Sequence, residues 1–257
     1  MKTKVFEIDL SETFEQLPAA PSVEAVIHWR ARAGRTLDPD ELQYRLVDLL
    51  SDYPTVQRQQ EFRVGAELGP EGSHLEHKQT WQGFRFQSSD NRHVAQFTRN
   101  GFVFSRLMPY EDWTKFEAEA LKLWQIYCEL AEPPEIQRLG VRFINVIPIE
   151  TMDQLRRILV SPPSAPTSMN LPMQEFIHQT RFAIPDDGYS LNVILATQPP
   201  SADDEKLKFI LDLDVSTEST VEMAEDELRK RLAEMRWIKN KAFFSILTRD
   251  AIDRFRE

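Results

Sequence analysis

The chain has 257 residues, with 31 lysines and arginines against 41 aspartates and glutamates, so its formal net charge is −10. Hydrophobic residues make up 41% of the sequence, which is enough for a folded core and excludes a disordered chain. The acidic balance argues against non-specific nucleic-acid binding, and a single cysteine excludes both an intramolecular disulfide and a thiolate-rich zinc site.

The first residues indicate where the protein is located. Two lysines open the chain, but Glu7 and Asp9 interrupt the apolar run that a signal peptide needs. No later segment approaches the roughly 20 apolar residues of a membrane helix. We therefore expect a cytoplasmic protein that makes no membrane contact.

Local patterns predict the first elements of the chain. Alternating apolar and polar residues indicate a strand from Val23 to Arg30. A helix is expected after Asp38, because aspartate caps helices and Pro39 suits the first helical position. The pair Asn100-Gly101 separates two alternating runs, which predicts a hairpin with a type I′ turn.

A long helix and a strand are predicted next, and similar elements follow in the second part of the chain. Apolar residues recur at helical spacing from Trp113 to Leu130, and an apolar run from Gln137 to Ile147 is typical of a strand. Further strands are expected at 176–184, 189–198 and 207–215, before a helix at about 225–245. We therefore predict an α+β fold, with antiparallel meanders and long helices packed on one face.

A stretch of prolines and small residues at 161–168 is the best candidate for a linker. It predicts an N-terminal α+β half at 1–160 and a C-terminal α+β half at 169–257. The order of strands followed by a long helix occurs in both parts, so the two halves are expected to be similar. The alternative is one continuous domain in which this stretch is an ordered loop.

Two sets of charged or polar residues are candidate ligand sites. Asp212 and Asp214 lie two apart on a strand and project from one face, so they are candidates to share a divalent cation. Arg142, Asn145 and Arg181 are candidates to bind an anion. Arg142 and Asn145 are expected on opposite strand faces. In both sets the alternative is a structural role on a polar sheet face.

Aromatic residues crowd one predicted meander. Those proposed as an interaction surface are Trp81, Phe84, Phe86, Phe102 and Phe104. Because these side chains are expected on opposite strand faces, either the sheet is covered on both sides or an aromatic patch is exposed. Exposed aromatic patches are typical of interaction surfaces.

Four segments together resemble a family of sporadically distributed prokaryotic proteins. They are Pro21–Ile27, Tyr110–Phe116 with Ala120–Trp124, Arg138–Asn145, and Ala242–Thr248. The resemblance covers most of the chain, and Leu247 stands where the family usually has isoleucine. Its patchy occurrence implies an accessory or defence-type system rather than housekeeping metabolism.

Three functions remain open on these grounds. The first is a non-catalytic protein-interaction module that binds a protein partner or its own copy, with no catalytic residues and no cofactor. The second is a sensor for a small anionic ligand at Arg142 or Arg181. The third is a metal-dependent enzyme that uses Asp212 and Asp214.

Overall fold

A computed structural model of the chain describes residues 6–69, 72–166, 168, 171–184, 188–200 and 205–256, and for residues 63–69 and 72–78 it describes only the backbone. The described residues form a nine-stranded antiparallel sheet accompanied by helices, which confirms the α+β class. The strands in chain order are β1 (Ser22–Arg30), β2 (Thr55–Gly69), β3 (Gly72–Gln87), β4 (His93–Thr98), β5 (Gly101–Leu107), β6 (Arg138–Ile149), β7 (Ile177–Ile184), β8 (Tyr189–Gln198) and β9 (Leu207–Thr217).

The first strand lies in the middle of the sheet. The spatial order is β2-β3-β4-β5-β1-β6-β9-β8-β7, so β1 is hydrogen-bonded to β5 on one side and to β6 on the other. Ile27 is opposite Phe104 and Val141 in these two pairings. The sheet continues across the expected linker, because β6 pairs with β9. The division into halves at 1–160 and 169–257 stays a prediction.

Side-chain caps mark the start of three of the described α-helices. In chain order the helices are α1 (Pro39–Leu49), α2 (Trp113–Ala131), α3 (Leu155–Ile158), α4 (Glu225–Ile246) and α5 (Arg249–Asp253). The Asp38 carboxylate accepts hydrogen bonds from the backbone N–H groups of Asp40 (3.0 Å) and Glu41 (2.9 Å), which confirms the expected cap. Among the described helices, none is both long and apolar enough to cross a membrane.

The predicted hairpin is present, but its turn differs from the expectation. β4 and β5 pair from Thr98 opposite Gly101, so the two turn residues are Arg99 and Asn100. A type I′ turn needs positive φ at both central residues, and neither has it. Gly101 has φ +145, and a Cβ there would collide with the Trp29 carbonyl oxygen. The glycine is therefore required both by its own backbone conformation and by the neighbouring strand β1.

Aromatic rings link β1 to α2 in the core. Ala25, Ile27 and Trp29 alternate along β1 and are fully buried, whereas the residues between them are partly exposed. The Trp29 ring stacks on Trp124 of α2 at a centroid distance of 5.2 Å. The Tyr127 hydroxyl donates a 2.7 Å hydrogen bond to the Ala31 carbonyl, which fixes α2 against the end of β1.

The expectation of an exposed aromatic surface is wrong for four of its five residues. Phe84, Phe86, Phe102 and Phe104 are all fully buried. The register places Phe97 opposite both Phe84 and Phe102, so the rings of neighbouring strands share one face of the sheet. Trp81, the fifth residue, is partly buried and has its ring 5.5 Å from Phe84. These aromatic side chains belong to the hydrophobic core. The prediction failed because alternation along one strand shows which of its own side chains share a face, but not which side chains of the neighbouring strands lie on that same face of the sheet.

Candidate functional site

Five charged or polar side chains meet on the partly exposed face of β1, β6 and β9. They form what we call the sheet-face network: His28, Arg138, Arg142, Asp212 and Asp214. The register explains this, because Arg142 lies opposite Val26 of β1 and Asp214 of β9. Three predicted site residues, Arg142, Asp212 and Asp214, are thus brought together, although they were predicted for two different ligands.

Arg142 and Asp212 form a bidentate ion pair. The Arg142 Nε donates to Oδ1 of Asp212 at 2.8 Å, and Nη2 donates to Oδ2 at 2.5 Å. The hydrogen bonds to Asp212 raise the pKa of Arg142 above its usual value. Asp212 is only 5% exposed, so the guanidinium neutralises a carboxylate that is largely removed from water.

Arg138 connects His28 to Asp214. Its Nη2 donates a 3.0 Å hydrogen bond to Oδ2 of Asp214, and its Nη1 meets Nε2 of His28. Burial, and then the positive charge of Arg138, lower the pKa of His28 to about 4, so the imidazole is neutral near pH 7. The His28 ring lies over Gly140, where a Cβ would collide with it.

The network is balanced in charge, because each aspartate has its own arginine. Both oxygens of Asp212 and one oxygen of Asp214 accept hydrogen bonds from these guanidinium groups, so a shared cation would have to displace them. In the described part of the chain, no group of three His, Cys, Asp or Glu residues is arranged to hold a metal ion. The arrangement is therefore that of two ion pairs on one face of the sheet.

The three candidates for anion binding are not brought together. Arg181 lies on β7, separated from β6 by β8 and β9, and its Nη2 donates to Glu218 at 2.6 Å. Asn145 lies on the opposite face from Arg142, as its position along β6 predicts. Its Nδ2 donates to the Leu211 carbonyl at 3.0 Å, and its Oδ1 accepts from the Ser22 hydroxyl at 2.7 Å.

Asn145 borders a small pocket that contains a partly buried lysine. The pocket has a volume of about 250 Å³ and is also lined by Tyr110, Phe143 and Lys239. The Lys239 ammonium lies 3.9 Å from the centre of the Phe143 ring, and burial lowers the pKa of Lys239 to about 7. Sequence reasoning missed Lys239. The available signal was a lysine directly after Trp237 and Ile238 on the apolar side of a predicted helix.

Aliphatic side chains surround the sheet-face network. This aliphatic patch consists of the partly exposed residues Val26, Ile144, Val146, Ile194 and Ile210. Ile144 and Ile194 both lie opposite Asp212, and Val146 lies opposite Ile210, so the patch is continuous across four strands. Sequence reasoning missed it too, although apolar residues at both odd and even positions of β6 signal a strand with two apolar faces.

Neither a comparison with protein-family models nor a comparison with curated proteins finds a match for this chain. The resemblance to the sporadically distributed prokaryotic family therefore stays a prediction.

Proposed function

We propose that this chain is a non-catalytic binding module whose open sheet face binds a second copy of the same chain. In this proposal α2 and α4 cover one face of the sheet, and the sheet-face network and the aliphatic patch lie on the other. Support comes from Trp124 of α2 on Trp29 of β1 and from Lys239 of α4 over Phe143 of β6. Trp29 and Phe143 lie an even number of residues apart in register, so they project from the same face.

The proposal includes two similar halves, related about the contact between β1 and β6 and divided between α2 and β6 rather than at the expected linker 161–168. Each half starts with one of these central strands, continues with outer strands, and ends with a long helix, α2 or α4. Internal symmetry of this kind supports a broad sheet face that is similar on both sides of the contact between β1 and β6. A face of this kind is able to meet its own copy in a twofold arrangement.

Charge is the observation that carries the choice of partner. The chain has a net charge of −10, so two copies repel each other over most of their surface. The sheet-face network has two arginines against two aspartates and a neutral His28, and the charge of Glu24 also acts on Arg142. Two copies therefore meet there with little net charge, in contrast to the net charge of −10 on the whole chain. The surrounding aliphatic patch supplies the apolar centre typical of interfaces between identical subunits.

The same geometry favours binding over catalysis. Asp212 holds Arg142 through both of its oxygens, Asp214 holds Arg138 through Oδ2, and Arg138 engages the His28 nitrogen. Among the described carboxylate oxygens of the network, this leaves only the buried Oδ1 of Asp214 without a partner. A metal-dependent enzyme built on Asp212 and Asp214 therefore has less support than a binding module. The resemblance described above further supports a place for the module in an accessory or defence-type prokaryotic system.

The test is the mass of the native protein, measured by native mass spectrometry and by light scattering after size exclusion. We expect twice the chain mass of 30.0 kDa. Ile144→Arg should give a monomer, because it introduces a charge into the centre of the aliphatic patch. Tyr44→Arg is the matched control, because Tyr44 is 78% exposed on α1 and lies outside the sheet.

Each result has a definite meaning. A wild-type monomer at every concentration tested contradicts the proposal, and so does a dimer that survives Ile144→Arg. Ile194→Arg repeats the test from strand β8, in case Ile144→Arg lowers stability. Thermal unfolding of each variant shows whether loss of the dimer is separate from loss of the fold.

A further inference from the structure

A cleft of about 1330 Å³ lies next to the sheet-face network, at the C-terminal end of β1, where Arg30 is opposite Arg138. One wall is the segment 30–37, and the other wall includes Glu61 of β2 and residues 80–82 of β3. Backbone hydrogen bonds hold the first wall in place, from Ala31 N to Asn100 O and from Ala33 N to Arg99 O, both 3.0 Å long. The cleft is therefore built on fixed backbone.

Four arginines line this cleft: Arg30, Arg32, Arg35 and Arg99. Arg35 is 3.3 Å from the Glu132 carboxylate, whereas the guanidinium groups of the other three form no ion pair or hydrogen bond within the described part of the chain. Glu61 is the acidic residue among the lining residues described, and its Oε2 accepts a hydrogen bond from Gln82 at 2.6 Å. The cleft is thus strongly positive in a chain of net charge −10.

Such a cluster favours the binding of an anion. Arg30, Arg32 and Arg99 are exposed, so water screens part of their mutual repulsion, but their summed positive charge in one concave site attracts an anionic ligand. Arginine is the side chain best suited to phosphate, because its planar donors match two phosphate oxygens at once. Arg142 and Arg181 have carboxylate partners, whereas Arg30, Arg32 and Arg99 have none in the described part of the chain.

We propose that the cleft binds a nucleoside polyphosphate, with its phosphates at Arg30, Arg32 and Arg99 and its base beside Trp81. The indole of Trp81 and the side chain of Leu37 give the otherwise polar lining an apolar part, which suits a flat base. The volume exceeds the few hundred Å³ of a typical small-ligand pocket, so a nucleotide fits together with water. A long nucleic acid is less suitable as a ligand for a chain with a net charge of −10.

Isothermal titration calorimetry of the full chain with ATP, inorganic triphosphate and adenosine tests this site. We expect saturable binding of one ATP, weaker binding of triphosphate, and no binding of adenosine. The double variant Arg32→Gln, Arg99→Gln should weaken ATP binding by about tenfold or more, because each charged hydrogen bond lost costs about that factor. Arg45→Gln is the control, since Arg45 is exposed on α1 outside the cleft.

Three results overturn the proposal. The first is the absence of ATP binding, or ATP binding that the double variant leaves unchanged. The second is triphosphate binding as tight as ATP binding, because the base would then add nothing to the affinity and the ligand would not be recognised as a nucleotide. The third is a single-stranded oligonucleotide that binds through the same arginines and more tightly than ATP. Ile144→Arg should leave ATP affinity unchanged, so failure of the dimer and failure of this site are distinguishable.

Discussion

At the scale of single residues, His28 and Gly140 depend on each other across the β1–β6 pair. The two residues lie opposite each other in register, and the imidazole occupies the space in which a side chain at 140 would begin. Arg138 holds the ring from the next position on the same face of β6. The absence of a side chain at 140 is therefore what admits the imidazole to the sheet-face network.

Gly140→Ala should lower the free energy of unfolding by about 1–3 kcal/mol, because the added methyl group overpacks the site. The double variant His28→Ala, Gly140→Ala should show a smaller additional loss, since removal of the ring makes room for the methyl group. Urea denaturation of the two single variants and the double variant gives the coupling energy. Strictly additive losses would show that the ring and residue 140 do not compete for space.

His28 should also make stability depend on pH. Its pKa is about 4 in the folded chain against 6.5 for a free histidine, so the unfolded chain binds more protons between these values. Stability should therefore be complete above about pH 6.5 and should fall, by up to about 3 kcal/mol, as the pH drops toward 4.

Urea denaturation across this range should show a flatter profile for His28→Gln than for the wild type. His178→Gln, at an exposed position of β7, is the matched control and should retain the wild-type profile. Equal slopes for His28→Gln and the wild type would show that another group causes the acid sensitivity.

At the scale of elements, the sequence predicts correctly those features that depend on a few neighbouring residues. The start of α1 depends on Asp38 and Pro39 alone, and the structure has the expected cap. The hairpin at β4 and β5 was also located, but its turn residues were not. Gly101 is required by the carbonyl of Trp29, more than 70 residues earlier in the sequence, so no local pattern contained that information.

Sequence patterns are also limited to neighbouring residues at the candidate site. The sequence shows that Asp212 and Asp214 lie two residues apart and therefore on one face of a strand. Their arginine partners, however, lie on β6, about 70 residues away. The buried aromatic residues illustrate the same limit. Their alternation along each strand is evident from the sequence, but the register that places Phe84 and Phe102 on one face of the sheet is set only when the strands pair.

The contact between α4 and β6 should make stability rise under alkaline conditions. Lys239 has a pKa of about 7 in the folded chain against 10.5 when free, so the unfolded chain binds more protons between these values. The free energy of unfolding should therefore rise by about 2 kcal/mol from about pH 7.5 to about pH 9.5.

Lys239→Met should remove this rise, because methionine fills a similar space without a charge. Lys241→Met on the same helix is the control, since Lys241 reaches the partly exposed carboxylate of Glu12 at 2.6 Å. Urea denaturation at both pH values measures the effect. A rise that persists in Lys239→Met would show that the Lys239 ammonium is not its source.

At the scale of the whole molecule, the sheet joins both sides of the expected linker. β6 pairs with β9 from Gly140 opposite Ser216 to Ile149 opposite Leu207. Beyond the sheet, Thr248 N donates to Ile158 O at 2.8 Å. A chain cut within 161–168 should therefore stay associated, and its pieces should separate only on unfolding.

The fragment 1–160 should not unfold cooperatively when it is produced alone, because β6 would lose its partner β9 and expose a long apolar edge. Circular dichroism during thermal unfolding of the fragment, the cut chain and the intact chain measures this. Cooperative unfolding of the isolated fragment would instead identify 161–168 as a true boundary between domains.

The position of β1 in the sheet has a consequence during synthesis. The central strand β1 leaves the ribosome before the other eight strands of the described sheet. One of its two neighbours, β6, begins more than 100 residues later. β9, which separates β6 from β8, is made after both, so the C-terminal side of the sheet has a gap until residues 207–217 emerge. The nascent chain therefore carries unpaired apolar strands through most of translation, which is the period when holding chaperones protect such a protein.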